Sequence, residues 1–281
     1  MIKIEKGNNM SKLKIAYSGI EGAFAYISAK HIFPNEELIS FQNFQETYDS
    51  VVKDECDYAV IPIDNSYSGE VPQVMDLLFY GDLYIKGIYS LPVVQNLLGL
   101  PDSDESMIKR VVSHPKALEQ CDQYITDHGF VITEATNTAR AAKEVADLGD
   151  NTVAAIASKE TAELYGLKVL REAINESDDN TTRFLVLSKE IGRVSNTDER
   201  DSFIMLFSVP NESGALVKAL QIIGEYGFNM KVVHSRPLKN YIWQYYFYVE
   251  IEGEYGNENG VKMLEKLEKE CSIVKVLGPS K

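Results

Sequence analysis

The sequence has little of what metal, redox and nucleotide enzymes usually display. Its four histidines, at 31, 114, 128 and 234, are scattered without metal-ligand spacing. Its three cysteines, Cys56, Cys121 and Cys271, are far apart and odd in number, which argues against both a zinc site and a disulfide framework. There is no Walker loop and no full dinucleotide glycine signature. No apolar run approaches the ~20 residues of a membrane span, and the amino terminus lacks the apolar core of a signal peptide. Positive charge is also short: 28 Lys and Arg stand against 42 Asp and Glu, a net charge of -14. That balance argues against nucleic acid or an anionic membrane as the main partner, yet leaves room for a small anion in a locally positive pocket. The expected compartment is the cytoplasm.

What is present is an α/β pattern long enough, at 281 residues, for two domains. Leu13 to Tyr17, Tyr58 to Ile61, Arg110 to Val112, Phe130 to Ile132 and Val153 to Ala157 read as short strands, each followed by a helical pattern. Asn43 and Glu46 have capping-box spacing before a helix with Phe44, Tyr48, Val51 and Val52 on one face. Pro115 suits the first position of one helix carrying Ala117, Leu118, Cys121, Tyr124 and Ile125. The extended stretch Leu83 to Leu100 has the length to cross between two lobes.

A charged segment from Lys189 to Arg200 separates a different pattern. Ser202 to Val209 is strand-like, and Ser213 is placed to cap a helix with Leu216, Val217, Leu220 and Ile223. Two strands follow, the second alternating through Trp243, Tyr245, Phe247, Val249 and Ile251, so that one aromatic face is expected inward and one outward. A helix with Met263, Leu264, Leu267 and Cys271 and a last strand complete a ferredoxin-like βαββαβ order.

Chemistry is expected in loops beyond the carboxyl ends of strands, where helix amino termini present N–H groups to anions. Gly19 to Gly22, Asp64 to Glu70, Ser113-His114-Pro115 and Asn137-Thr138 all occupy such places. The most reaction-ready group is Asn180-Thr181-Thr182-Arg183-Phe184, where hydroxyls stand beside a guanidinium at the mouth of a strand.

Taken in order, these motifs resemble prephenate dehydratase followed by an ACT regulatory domain. The resemblance rests on Gly19 to Phe24, Pro62-Ile63-Asp64-Asn65-Ser66, Ser113-His114-Pro115 with Gln120-Cys121, Thr182-Arg183-Phe184, Glu212 to Val217 and His234-Ser235-Arg236-Pro237. It departs at Asp64 and His234, where the family usually has Glu, and at Gln95, where many relatives carry His. The resemblance implies an α/β architecture: a two-lobed catalytic domain over 12–190 like type II periplasmic binding proteins, its second lobe about 88–170. A linker over 191–200 and an ACT domain over 201–278 follow.

The implied reaction is decarboxylative dehydration of prephenate to phenylpyruvate in phenylalanine biosynthesis, with no cofactor and no metal. It also implies Thr182 and Arg183 as catalytic residues, with Gly19, Asn65, Ser66, Ser113, Gln120, Thr138 and Phe184 binding substrate. Thr182 is the expected donor to the leaving hydroxyl and Arg183 the expected carboxylate partner, provided its side chain faces the cleft. Asn65, Ser66, Ser113, Gln120 and Thr138 are expected as positioning donors. Phenylalanine is expected to bind at Gly214, Ala215, Leu216, Val217, His234, Ser235, Arg236 and Pro237 in a homo-oligomer, a dimer or tetramer. Arogenate dehydratase and a non-catalytic amino-acid-sensing binding protein are the competing readings. The short stretch before the first strand argues against a fused chorismate mutase.

Overall fold

The structure, a computed structural model, describes residues 12–177, 179–192, 202–239 and 241–280; the predicted linker lies, from 193 on, outside them. In chain order the first elements are β1 (Lys14–Ser18), α1 (Phe24–Ile32), β2 (Glu37–Phe41), α2 (Phe44–Val52), β3 (Tyr58–Asn65), β4 (Gly69–Glu70), α3 (Pro72–Tyr80) and β5 (Tyr84–Pro92). Then come β6 (Asn96–Gly99), β7 (Arg110–Ser113), α4 (Pro115–Glu119), α5 (Asp122–His128), β8 (Val131–Glu134), α6 (Thr138–Leu148), β9 (Val153–Ala157), α7 (Lys159–Tyr165), β10 (Lys168–Arg171) and β11 (Thr181–Ser188). The last are β12 (Ser202–Ser208), α8 (Ala215–Glu225), β13 (Asn229–Pro237), β14 (Tyr245–Glu252), α9 (Glu258–Glu270) and β15 (Ile273–Pro279).

The chain divides into two compact units, one formed by residues up to 71 with 90–184, the other by 72–89 with 185 onward. The sequence boundary near 190 therefore differs from the structural division, because α3 and most of β5 group with the carboxy-terminal residues.

In the first unit, parallel β2, β1 and β3 begin a sheet of order β2-β1-β3-β11-β5, with β4 paired to β3. A second sheet runs β10-β6-β9-β7-β8, in which β7 lies parallel to β8 and β9 while β6 is antiparallel to β9. The central strands are apolar because helices cover them: Ile15, Ala16, Ala59, Val60 and Ile61 are fully buried, as are Ala154, Ala155 and Ile156. The Asn43 side chain accepts from Glu46 N–H at 2.9 Å as the capping spacing predicts. Glu46 reaches back to Gln42 N–H rather than to that of Asn43. The single helix expected after Pro115 is two. His114 caps α4, the chain breaks at Gln120, and Cys121 opens α5. The break frees the Gln120 carbonyl to accept from Glu176 N–H at 2.9 Å, a bond that a continuous helix would forgo.

The second unit contains the predicted ferredoxin-like order, with an antiparallel sheet β13-β14-β12-β15. Phe203, Met205, Phe207, Phe247, Val249 and Ile251 pack with Ala219, Ile222 and Ile223 of α8 and with Met263 and Leu267 of α9. Two expectations change here. The α8 cap is Gly214 in a left-handed conformation (φ 86°), not Ser213, because the chain enters the helix through a turn that disfavours a Cβ. The second correction concerns the aromatic strand, which has no outward face at 246–248: Tyr246, Phe247 and Tyr248 are all buried. The reason is α3, whose Phe79 stacks on Tyr246 with ring centroids 4.1 Å apart.

Asp76 of α3 forms the polar centre of that packing. It accepts from Tyr246 Oη at 2.7 Å and from Arg236 Nε at 3.2 Å, and it pairs with Lys239 at 3.3 Å. Burial alone would raise the Asp76 pKa, but the hydrogen bonds and charge of these partners hold it below its ordinary value. Lys275 donates to the carbonyls of Leu78 and Gly81 at the end of α3, and burial lowers its pKa.

Candidate active site

Thr182 lies at the start of β11 and Asn65 at the end of β3, both in the first unit. The Asn65 amide nitrogen donates to Thr182 Oγ1 at 2.9 Å, to Asn180 Oδ1 at 2.6 Å and toward the Thr181 carbonyl at 3.2 Å. Its oxygen accepts from the N–H groups of Tyr67 and Ser68, at 3.0 and 2.9 Å, and from Ser68 Oγ at 3.2 Å. These contacts fix the Asn65 amide in one orientation. Thr182 Oγ1 is therefore an acceptor toward Asn65, and among the described residues nothing accepts its own proton. A hydroxyl held in this way keeps its proton free to donate.

Three residues expected to donate to substrate donate inward instead. Asn65 supports Thr182, Ser66 Oγ donates to the Asp179 carbonyl at 2.8 Å, and Ser113 Oγ donates to the Ile156 carbonyl at 2.5 Å. Ser66 also accepts from Thr181 N–H at 2.9 Å, so it fastens the segment that carries Thr182. Arg183 forks onto Asp64 through Nε, 2.8 and 3.1 Å from its two oxygens, and through a terminal nitrogen. Strand alternation sets Asp64 and Arg183 on the face opposite Asn65 and Thr182. The guanidinium thus orients a carboxylate of the protein itself. Phe184 is 2 % exposed and belongs to the core beneath Thr182 rather than to a substrate surface.

The remaining predicted residues come from both sheets. Thr138 opens α6, behind the Asn137 cap. Gln120 is almost buried, and its Oε1 accepts weakly from Gln95 Nε2 at 3.4 Å. Gly19 has φ 95° and donates through its N–H to the Phe41 carbonyl. The rest of its loop docks on α7: Thr161 Oγ1 donates to the Gly22 carbonyl at 2.9 Å and Tyr165 Oη to the Glu21 carbonyl at 2.7 Å. Gly22 has φ 86°, which disfavours any Cβ, and a Cβ there would also crowd the Leu164 and Thr161 side chains of α7.

Sequence reasoning passed over Asn180 and Asn175 as site residues and treated Gln95 only as a departure. Asn175 Oδ1 accepts from Gln95 N–H at 2.9 Å. Asn180 Nδ2 and Gln95 Oε1 are buried without a partner among the described residues. The signal for Asn180 was its place beside Thr182. Other titratable groups nearby are quiet: burial, aided by the Lys116 charge, lowers the His114 pKa, which suits an imidazole that caps α4 by accepting from Lys116 N–H. Burial pushes the Cys121 thiol up to about 12, far from a nucleophilic thiolate. A separate cavity of about 250 Å³ is lined by Phe24, Ile27, Leu91, Val94 and Lys159, and neither Thr182 nor Asn65 borders it. Its Lys159 is paired with Glu172 at 2.8 Å.

In the second unit, the His234 to Pro237 motif divides between two faces of β13. His234 and Arg236 pair with Tyr248 and Tyr246 on the side of α3, whereas Ser235 pairs with Phe247 on the side of α8 and α9. Arg236 is held by Asp76 and Tyr246. Gly214 to Val217 form the entry to α8, where Val217 is 66 % exposed.

A two-lobed α/β unit with a directed hydroxyl, joined to a ferredoxin-like unit, defines an enzyme on a small-molecule binding scaffold. The family model for prephenate dehydratase matches residues 15–191, and the chain belongs to that family of lyases. It is 33 % identical over 283 residues to arogenate dehydratase/prephenate dehydratase 2 of Arabidopsis thaliana, covering 98 % of this chain and 74 % of that one. The prephenate dehydratase of Arthrobacter aurescens, solved in complex with L-Phe, superposes with a TM-score of 0.86 at 25 % identity over 95 % of this chain and 90 % of that one. GqqA, described as a novel type of quorum-quenching acylase, also superposes at 0.86, with 30 % identity over 95 % of this chain and 97 % of that one.

Proposed function

We propose that this chain converts prephenate to phenylpyruvate, water and carbon dioxide, with Thr182 as hydrogen donor to the leaving hydroxyl. The carrying observation is the 2.9 Å bond from Asn65 to Thr182 Oγ1, which leaves the threonine proton available for donation. In the reaction, the bond between ring and carboxylate carbon breaks and its electron pair enters the ring. The ring C–O bond breaks at the opposite carbon, and the hydroxyl leaves as water with an added proton. The prephenate dianion and one proton thus give phenylpyruvate monoanion, carbon dioxide and water. Aromatisation supplies the driving force, so the protein needs to hold the carboxylates and stabilise the departing oxygen. With Arg183 committed to Asp64, carboxylate binding is assigned to backbone N–H groups such as those at the start of α6 beside Thr138. Gln120 lies at the border of the same pocket in this reading, while Gly19, Ser66 and Ser113 shape its walls.

The second unit is assigned as an ACT regulatory domain that takes phenylalanine through Gly214 to Val217 and the Ser235 side of β13, in a homo-oligomer. Its ferredoxin-like order, and the L-Phe bound to the Arthrobacter relative, support that assignment. A cytoplasmic setting belongs to the same reading, supported by three free cysteines; among the described residues no helix is long and apolar enough to cross a membrane. Acyl transfer of the kind named for GqqA would need a base to activate a nucleophile. The contact at Thr182 Oγ1 is instead an amide donor, which cannot take a proton.

The test is to incubate the purified chain with prephenate and, in parallel, arogenate, with and without phenylalanine. Prephenate should give phenylpyruvate with uptake of one proton per turnover, at a rate that phenylalanine alters; arogenate turnover would be read as phenylalanine formed. No product from either substrate turns the reading to an amino-acid-sensing binding protein, and faster turnover of arogenate shifts the physiological substrate.

A further inference from the structure

The Asn65 nitrogen has two side-chain oxygens beside it, Thr182 Oγ1 at 2.9 Å and Asn180 Oδ1 at 2.6 Å, so hydroxyl and amide are gathered around one atom. The Asn180 orientation is set by this contact, because the reversed amide would oppose two N–H donors. Its nitrogen then points away from Asn65. That nitrogen is buried, and among the described residues it has no acceptor. The residue as a whole is 4 % exposed.

An unsatisfied buried amide donor costs about 1–3 kcal/mol. The contact with Asn65 accounts for the Asn180 oxygen but not for this N–H. An aspartate would supply the same acceptor to Asn65 with the same shape, but when ionised it would bury an uncompensated negative charge in place of the orphan N–H. The amide differs from it by that donor, and the donor stands in the group that holds the Thr182 hydroxyl.

We propose that the Asn180 side-chain N–H is a second hydrogen-bond donor to the leaving hydroxyl of the substrate, acting beside Thr182. Thr182 supplies the proton that water carries away, and Asn180 donates to the same oxygen as negative charge develops on it. A donor screened from water and already oriented needs little reorganisation when the C–O bond breaks, the condition under which such donors have their largest effect. This inference rests on the dehydratase reading and adds a substrate contact to it.

The experiment compares wild type, Asn180→Asp and Asn180→Ala with prephenate and arogenate, recording kcat, KM, the pH profile and thermal unfolding. Asn180→Asp keeps the acceptor for Asn65 and, when ionised, replaces the donor by a negative charge; Asn180→Ala removes the donor without adding charge. For Asn180→Asp, kcat should fall about 10²- to 10³-fold at neutral pH, with KM changed far less. Its activity relative to wild type should climb as pH falls through the pKa of the introduced carboxyl, because the protonated acid again offers an O–H. Asn180→Ala should show the loss in kcat with no such recovery. Wild-type turnover in Asn180→Ala would overturn the proposal, as would a loss in Asn180→Asp with no pH recovery. A wild-type chain that turns over neither substrate removes the dehydratase reading and this inference together; a working wild type with an unimpaired Asn180→Ala removes the inference alone.

Discussion

Two partly buried polar clusters, one in each unit, are built from similar parts and finished differently. Around Asp76, the carboxylate, phenol, guanidinium and ammonium of Asp76, Tyr246, Arg236 and Lys239 meet one another's needs. Around Asn65, the Thr182 proton and the Asn180 amide nitrogen are left over. A closed cluster of this kind contributes to stability and locks packing, since removing one member strands the others. An open one gives up stability to keep donors aimed at something that is not part of the chain. The contrast separates structural polarity from functional polarity without reference to which residues are more reactive in water.

The sharpest way to break this contrast is at its most open point. Thr182→Val should lower kcat on prephenate by about 10²- to 10⁴-fold while KM and the melting temperature change little, as steady-state kinetics and calorimetry would record. Near-normal turnover in that variant would remove Thr182 from the chemistry. Asn65→Ala should cost less in kcat, about tenfold to 10²-fold, because Thr182 remains but is no longer directed; it should also loosen the 65–68 turn, seen as faster amide exchange of Tyr67 and Ser68.

The closed cluster should respond in the opposite sense. Asp76→Ala is expected to destabilise the second unit by roughly 2–3 kcal/mol in denaturant unfolding, taking the carboxylate from partly buried Arg236 and the acceptor from the Tyr246 hydroxyl, with kcat in the absence of phenylalanine nearly unchanged. If it lost turnover and kept stability, the division drawn here would be reversed. Acid gives a gentler test. The Asp76 pKa is lowered in the folded chain from an ordinary value of 3.8, so its contribution is complete above that value and is lost as pH falls through the folded value. Asp76→Asn should flatten the acid limb of the second unit's unfolding profile below about pH 4. The smallest effect is expected from Arg183→Lys, which loses the two-pronged grip on Asp64 and should cost about 1 kcal/mol with a modest change in KM.

The alternating pattern of strands and helices was legible because each element carries its own period: Val153 to Ala157 is strand in both sequence and structure, and so is Ser202 to Ser208. Thr182 was legible as chemistry because a hydroxyl at a strand mouth is recognisable locally. Its neighbours were harder. Whether Ser113, Ser66 and Asn65 donate outward or inward depends on carbonyls 43, 113 and 116 residues away, which no local pattern records. Tyr245 to Tyr248 misled for the same reason, since strict alternation predicts one wet face and the covering helix comes from residues 72–80. Arg183 was judged by its charge, but Asp64 decides what that charge is free to do.

The grouping of α3 with the carboxy-terminal strands makes this unit poorly portable. A shuttled regulatory module would be cut at the charged segment near 190, and the cut would leave Tyr246 on a surface stripped of Phe79 and Asp76. Recombination at that point, whether by an engineer or by gene fusion, would deliver an adhesive fragment unless residues 72–89 travelled with it. The economical unit of exchange is the whole chain.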